Sequence, residues 1–130
     1  MRRLLLDTQV ALWWLTASPR LSRMSRELMA GSPCVVSVAS IWEVDLKHRL
    51  GKLPVSPRRF RDEMQSAGAV IVSISDAHVL TTVNLPEAHP DPFDRLLLSV
   101  AQAEHLVLLT ADRALLMLAR KEPRLPIESV

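Results

Sequence analysis

The chain has 130 residues with 48% apolar and 23% charged side chains, enough for one packed core of ordinary domain size and too ordered in composition for a disordered segment. Its longest apolar runs, 10–15 and 114–119, are six residues each, far short of a membrane span, and Asp7 cuts the apolar stretch behind Arg2 and Arg3 too early for a signal peptide. Cys34 is the single cysteine, which excludes an internal disulfide and a cysteine-based zinc site and suits a reducing, cytoplasmic setting.

Leu4 to Leu6 reads as a short buried strand ended by Asp7, and Thr8 to Leu15 as a helix capped by Asp7 or Thr8. Ser22 to Ala30 reads as a surface helix, Cys34 to Val38 as a second strand, and Ala39 to Leu50 as a helix stopped by Gly51. Pro57 to Ala67 is a basic helix, Ala69 to Ile74 a third strand, and Asp76 to Leu85 a helix capped by Ser75 or Asp76. Pro86 to Pro92 is a loop with three prolines, Phe93 to Glu104 a helix, and Leu106 to Leu109 a fourth strand. Ala111 to Arg120 is the last helix, and Ile127 to Ser129 a final short strand. Short, almost wholly apolar strands separated by helices are the pattern of a parallel sheet buried on both faces. Ligands of such sheets gather beyond the carboxyl ends of the strands.

Charge is uneven. Residues 1–61 carry eleven Lys and Arg against four acids, and residues 62–130 carry five against ten. A basic half attracts an anionic polymer, although a solvated surface gives the same sum. Three glycines, at 31, 51 and 68, build neither common nucleotide-binding loop. The histidines at 48, 78, 89 and 105 lack metal-ligand spacing and read as surface or loop residues. Trp13, Trp14 and Trp42 read as core or interface residues, and no nucleophile elbow is present.

Four acids occupy unusual positions. Asp7 and Asp112 follow the first and fourth strands, so parallel neighbours would bring both to one rim; the plainer reading is helix capping, with Asp7 as an N-cap and Thr110 capping a helix that holds Asp112 in its first turn. Glu43 shares a helix face with Ala39, Leu46 and Leu50, where a carboxylate must be paired, protonated or metal-bound. A buried ion pair with an arginine is its structural alternative. Asp94 shares a face with Leu97, Leu98 and Ala101, with Asp91 and Pro92 suited to begin that helix. Arg95 falls on the face of Ser99 and Gln102 and reads as solvent-facing, while Asp45 points away from Glu43 into solvent. Crowded carboxylates repel unless a cation lies between them, and oxygen-only ligands suit magnesium or manganese.

Residues 4–8 (LLLDT), 12–15 (LWWL), Ser37, 40–43 (SIWE), 89–97 (HPDPFDRLL) and 110–112 (TAD) together resemble PIN-domain proteins of the VapC toxin type, over about residues 4–115. The resemblance implies a single PIN domain over 1–130, a three-layer α/β/α sandwich around a parallel sheet of about five strands. It also implies that Asp7, Glu43, Asp94 and Asp112 form a catalytic quartet binding magnesium or manganese, with Thr8 and Thr110 supporting it. The implied activity is an endoribonuclease toxin that blocks translation by cutting transfer or ribosomal RNA. A VapB-like antitoxin would restrain it, and a homodimer is usual. Arg95 and the group Arg58, Arg59 and Arg61 are candidate RNA contacts. Gln9 stands where relatives often have histidine, and Asp45 where they tend to have a small or apolar residue. A PIN-like RNA-processing or DNA nuclease that is no toxin, and a non-catalytic binding module, are the alternatives.

Overall fold

The computed structural model describes residues 2–85 and 91–130. Five strands, β1 (Leu4–Leu6), β2 (Cys34–Ser37), β3 (Val70–Val72), β4 (Val107–Thr110) and β5 (Ile127–Ser129), form one sheet in the order β3-β2-β1-β4-β5. Every pairing is parallel, with Leu5 of β1 facing Val35 of β2 and Leu108 of β4.

Alternation along each strand divides the core in two. Leu4, Leu6, Val36 and Leu109 point to one face. There they meet Val10 and Ala11 of α1 (Thr8–Leu15), Val44 of α3 (Val38–Arg49), and Phe60 and Met64 of α4 (Pro57–Ser66). Leu5, Val35 and Leu108 point to the other face, against Leu97, Leu98 and Ala101 of α6 (Pro92–Ala103) and Leu115 and Leu118 of α7 (Arg113–Lys121). The result is the expected three-layer sandwich. Among the described residues, the helices α2 (Arg23–Ala30) and α5 (Asp76–Leu80) complete the α-helical set.

Several boundaries differ from the sequence expectation for identifiable reasons. The helix expected from Asp76 to Leu85 stops at Leu80 and gives way to a 3-10 turn at Thr81–Asn84. Thr81 and Thr82 donate their hydroxyls back to the carbonyls of Ala77 and Val79, a local bonding mode that competes with a continuing helix. The last helix begins at Arg113 rather than Ala111, because Thr110 still belongs to β4 and Asp112 is the cap. Ser22 likewise lies outside α2, accepting the Ser25 amide as its N-cap. Pro92 closes the expected proline loop as the first residue of α6, with Asp91 as its cap, the start that these two residues suit; residues 86–90 of that loop lie outside the described residues. Gly51 does end α3: at φ +74 it lets its own amide reach the His48 carbonyl and the Lys52 amide reach Lys47.

The strand order places a topological switch between β1 and β4. From β1 the chain moves outward through β2 to β3, then returns to β4 on the opposite side of β1. The connections leave a crevice beyond the carboxyl ends of these two strands.

Candidate active site

Asp7 and Asp112 stand at that crevice. Asp7 continues β1, with its amide bonded to the Leu109 carbonyl of β4 at 3.0 Å. It occupies the N-cap position of α1, yet its side chain makes no capping bond. The carboxylate instead accepts the Thr110 hydroxyl at 2.7 Å through Oδ2. At 6% exposure it is buried, and burial pushes its pKa up, opposed by the Thr110 bond and reinforced by Glu43 and Asp112. The capping reading therefore fails for Asp7. Asp112, expected in the first turn of a helix capped by Thr110, is itself the N-cap of α7, its Oδ1 accepting the Leu115 amide at 3.0 Å.

Asp94 enters from the first turn of α6. Asp91 caps this helix, its Oδ1 accepting the Phe93 amide at 2.9 Å, and Pro92 fills the first helical position. This turn delivers the Asp94 side chain into the interior at 6% exposure. Burial first, then the charges of Asp7, Asp91, Asp112 and Glu43, push its carboxyl up to about 8. All three other members of the expected quartet thus act on Asp94.

Glu43 comes from α3, its side chain only 14% exposed. Its partner is Lys47, one turn on, with Nζ 3.1 Å from Oε2. The expected ion pair exists, with a lysine in place of the arginine. Asp45 pairs with Arg49 at 2.9 Å rather than being solvated alone.

The four acids and Asp91 line one cleft of about 360 Å³, together with Gln9, Trp13, Arg20, Lys47 and Ala111. Among the described residues no three acid, histidine or cysteine side chains already stand in metal-ligating geometry. Capping by Asp112 and the Lys47 pair on Glu43 hold two of these carboxylates to other partners. The donor chemistry itself, carboxylate oxygen throughout, with burial and neighbouring carboxylates raising the pKa values of Asp7 and Asp94, fits a hard divalent cation.

The sequence matches the family model of the PIN domain over residues 4–121. The chain belongs to the PIN-domain family. Among solved structures, this PIN domain is similar to a chain of the VapBC2 complex from Rickettsia felis bound to a promoter DNA fragment. The TM-score is 0.67 at 17% identity, covering 98% of each chain. It is similar also to a chain of DNA-bound VapBC from Salmonella typhimurium, with TM-score 0.65 and 17% identity over 99% of this chain and 98% of that one. A toxin–antitoxin complex from Klebsiella pneumoniae gives TM-score 0.56 at 23% identity, covering 83% and 85%. No curated protein gives a significant match.

The remaining expected residues of the PIN domain divide by location. Thr110 joins the site, donating to Asp7 and accepting the Asp112 amide at 2.9 Å. Thr8 supports Asp7 through its backbone amide only, because its hydroxyl is turned to Ser40 Oγ at 2.8 Å. Arg95 is not solvent-facing: it is half-buried and donates to the Thr82 carbonyl at 2.6 Å, so it clamps the 3-10 turn to α6. Arg58, Arg59 and Arg61 do not line the cleft, and two of them are paired locally, Arg59 with Glu63 and Arg61 with Asp62, each at 2.8 Å. His78, expected at the surface, is buried between the Ser75 amide and Glu104. Trp13 and Trp14 pack against the core as expected, whereas Trp42 is 55% exposed and meets Phe93 edge to face at 5.3 Å. Two cleft residues escaped the sequence reading. Lys47 was within reach, since residues four apart on a helix are neighbours. Arg20 lies in an irregular segment with no local signal.

Proposed function

We propose that the cleft is the active site of a magnesium- or manganese-dependent endoribonuclease, and that this PIN domain is the toxin of a VapC–VapB-like pair acting in the cytoplasm. One observation carries the reading. Asp94 is buried at the switch point with its carboxyl pushed to about 8 by burial and by four surrounding carboxylates. A fold keeps such mutual repulsion where function uses it. The antitoxin partner is supported by the likeness to chains of toxin–antitoxin complexes. A homodimer is part of the same proposal.

Asp7, Glu43, Asp94 and Asp112 would hold the cation. When bound, such an ion supplies an activated water and offsets negative charge at the reacting phosphoryl group. The protein's own contribution is arrangement. Thr110 orients Asp7 and ties it to the start of α7. Asp94 holds a proton in the cation-free cleft near neutral pH and must release it to become a ligand. Lys47 holds Glu43 in place until it is engaged.

The test is cleavage of RNA by the purified chain with magnesium or manganese, with EDTA, and as the Asp94→Asn variant. Cleavage is expected only for the parent with metal. Undiminished cleavage in excess EDTA would falsify the metal-dependent reading. Co-expression with the adjacent small reading frame, expected to give a soluble and inactive complex, tests the toxin assignment separately.

A further inference from the structure

The cleft faces a problem of charge. Five carboxylates line it, and a polynucleotide brings more negative charge to it. Among the described residues, two cationic side chains line the same cleft, Lys47 and Arg20. They come from separate elements, Lys47 from α3 and Arg20 from the segment between α1 and α2.

Both are equipped to take a phosphate. The Lys47 side chain is 41% exposed and makes one ion pair, to Glu43 at 3.1 Å. An ammonium carries three donors, so this pair leaves others for an incoming oxygen. The Arg20 guanidinium lies over the Trp13 ring, 5.9 Å from its centroid, and pairs with no carboxylate among the described residues. A cation–π contact at this distance engages the charge without using an N–H donor, and the donor fork matches phosphate oxygens. The α4 arginines offer neither feature: they lie outside the cleft, and Arg59 and Arg61 are paired to acids of their own helix.

Resting on the nuclease reading above, we infer that Lys47 and Arg20 are the phosphate-binding residues of this cleft, holding the RNA backbone against its acid wall. The two cations act by direct contact, and the net positive charge of residues 1–61 contributes only a diffuse field.

The experiment measures binding of a short fluorescein-labelled single-stranded RNA to the full chain in EDTA, by anisotropy across a salt series. Parent, Lys47→Met, Arg20→Met and Lys47→Arg are compared, with circular dichroism to verify folding. Each methionine variant is expected to lose affinity by about tenfold at low salt. Each should also flatten the slope of log affinity against log salt by about 0.7, the share of one single-strand phosphate contact. Lys47→Arg keeps the charge and should retain the parent slope, which a role limited to packing or to holding Glu43 does not require. If both methionine variants match the parent while the parent cleaves RNA with metal, the inference is overturned and the nuclease reading stands. A loss confined to one residue overturns the pair. A parent that neither binds nor cleaves RNA overturns both readings.

Discussion

The Thr110 hydroxyl donates to Asp7 Oδ2 at 2.7 Å and accepts the Asp112 amide at 2.9 Å, so one side chain on β4 joins the acid ending β1 to the acid opening α7. It is fully buried, and its bond is the main influence holding the Asp7 pKa down against burial. Thr110→Val keeps the shape and removes both bonds. It should destabilise the chain by about 1–3 kcal/mol, because a buried carboxylate oxygen and an amide lose their partner. The Asp7 carboxyl should titrate higher still, and metal-supported cleavage should fall. Urea unfolding and carboxyl titration by NMR read the two effects independently.

Asp94 makes stability depend on pH in a defined direction. Its carboxyl is raised to about 8 in the fold from an ordinary 3.8 when exposed. Between these values the native state binds more protons than the unfolded chain, so stability falls as pH rises. The penalty is absent in acid below 3.8 and complete above about 8. Asp94→Asn removes it, so the metal-free variant should gain roughly 1–3 kcal/mol at pH 9 and far less at pH 5. The variant should also lose cleavage. Melts in EDTA at the two pH values check this, and a variant less stable than the parent at pH 9 would count against a shared acid site.

Cation binding should reverse that ranking. At a hundredfold excess over its dissociation constant, magnesium should stabilise the parent by roughly 2.7 kcal/mol and Asp94→Asn much less. Because Asp94 must lose its proton to ligate, the magnesium-induced rise in melting temperature should grow from pH 6 to above about 8. Melts with and without magnesium across this range provide the measurement; a shift indifferent to pH would separate Asp94 from the cation.

Arg95 supplies a contrast within the same helix. Its guanidinium donates to the Thr82 carbonyl, with a longer contact to that of Leu85, so it joins α6 to the preceding turn. Arg95→Met should destabilise the fold by about 1–3 kcal/mol by removing charge-assisted bonds to half-buried carbonyls. The salt slope of RNA binding should stay at the parent value. A slope flattened as for Lys47→Met would return Arg95 to the RNA contacts.

Local pattern was enough to identify the layers and two of the acids' orientations. Strands buried on both faces must be apolar throughout, so LLL at 4–6 and VLL at 107–109 declare themselves. Helical spacing likewise turned Asp94 inward through Leu97, Leu98 and Ala101, and Glu43 toward its half-buried place on α3. Strand order is another matter. Nothing within β1 or β4 encodes that they are neighbours, because the pairing joins residues about a hundred positions apart and is settled by how α6 and α7 cover the second face. That pairing brings Asp7 to Thr110 and Asp112. Tertiary contact also decided which nearby charges are engaged. Arg95 turns inward because the Thr82 carbonyl packs against its helix, and Arg20 reaches the cleft because the chain after α1 lays it on Trp13. Periodicity records which side of an element is buried; it does not record what the other side will meet, since that partner arrives from a distant part of the chain.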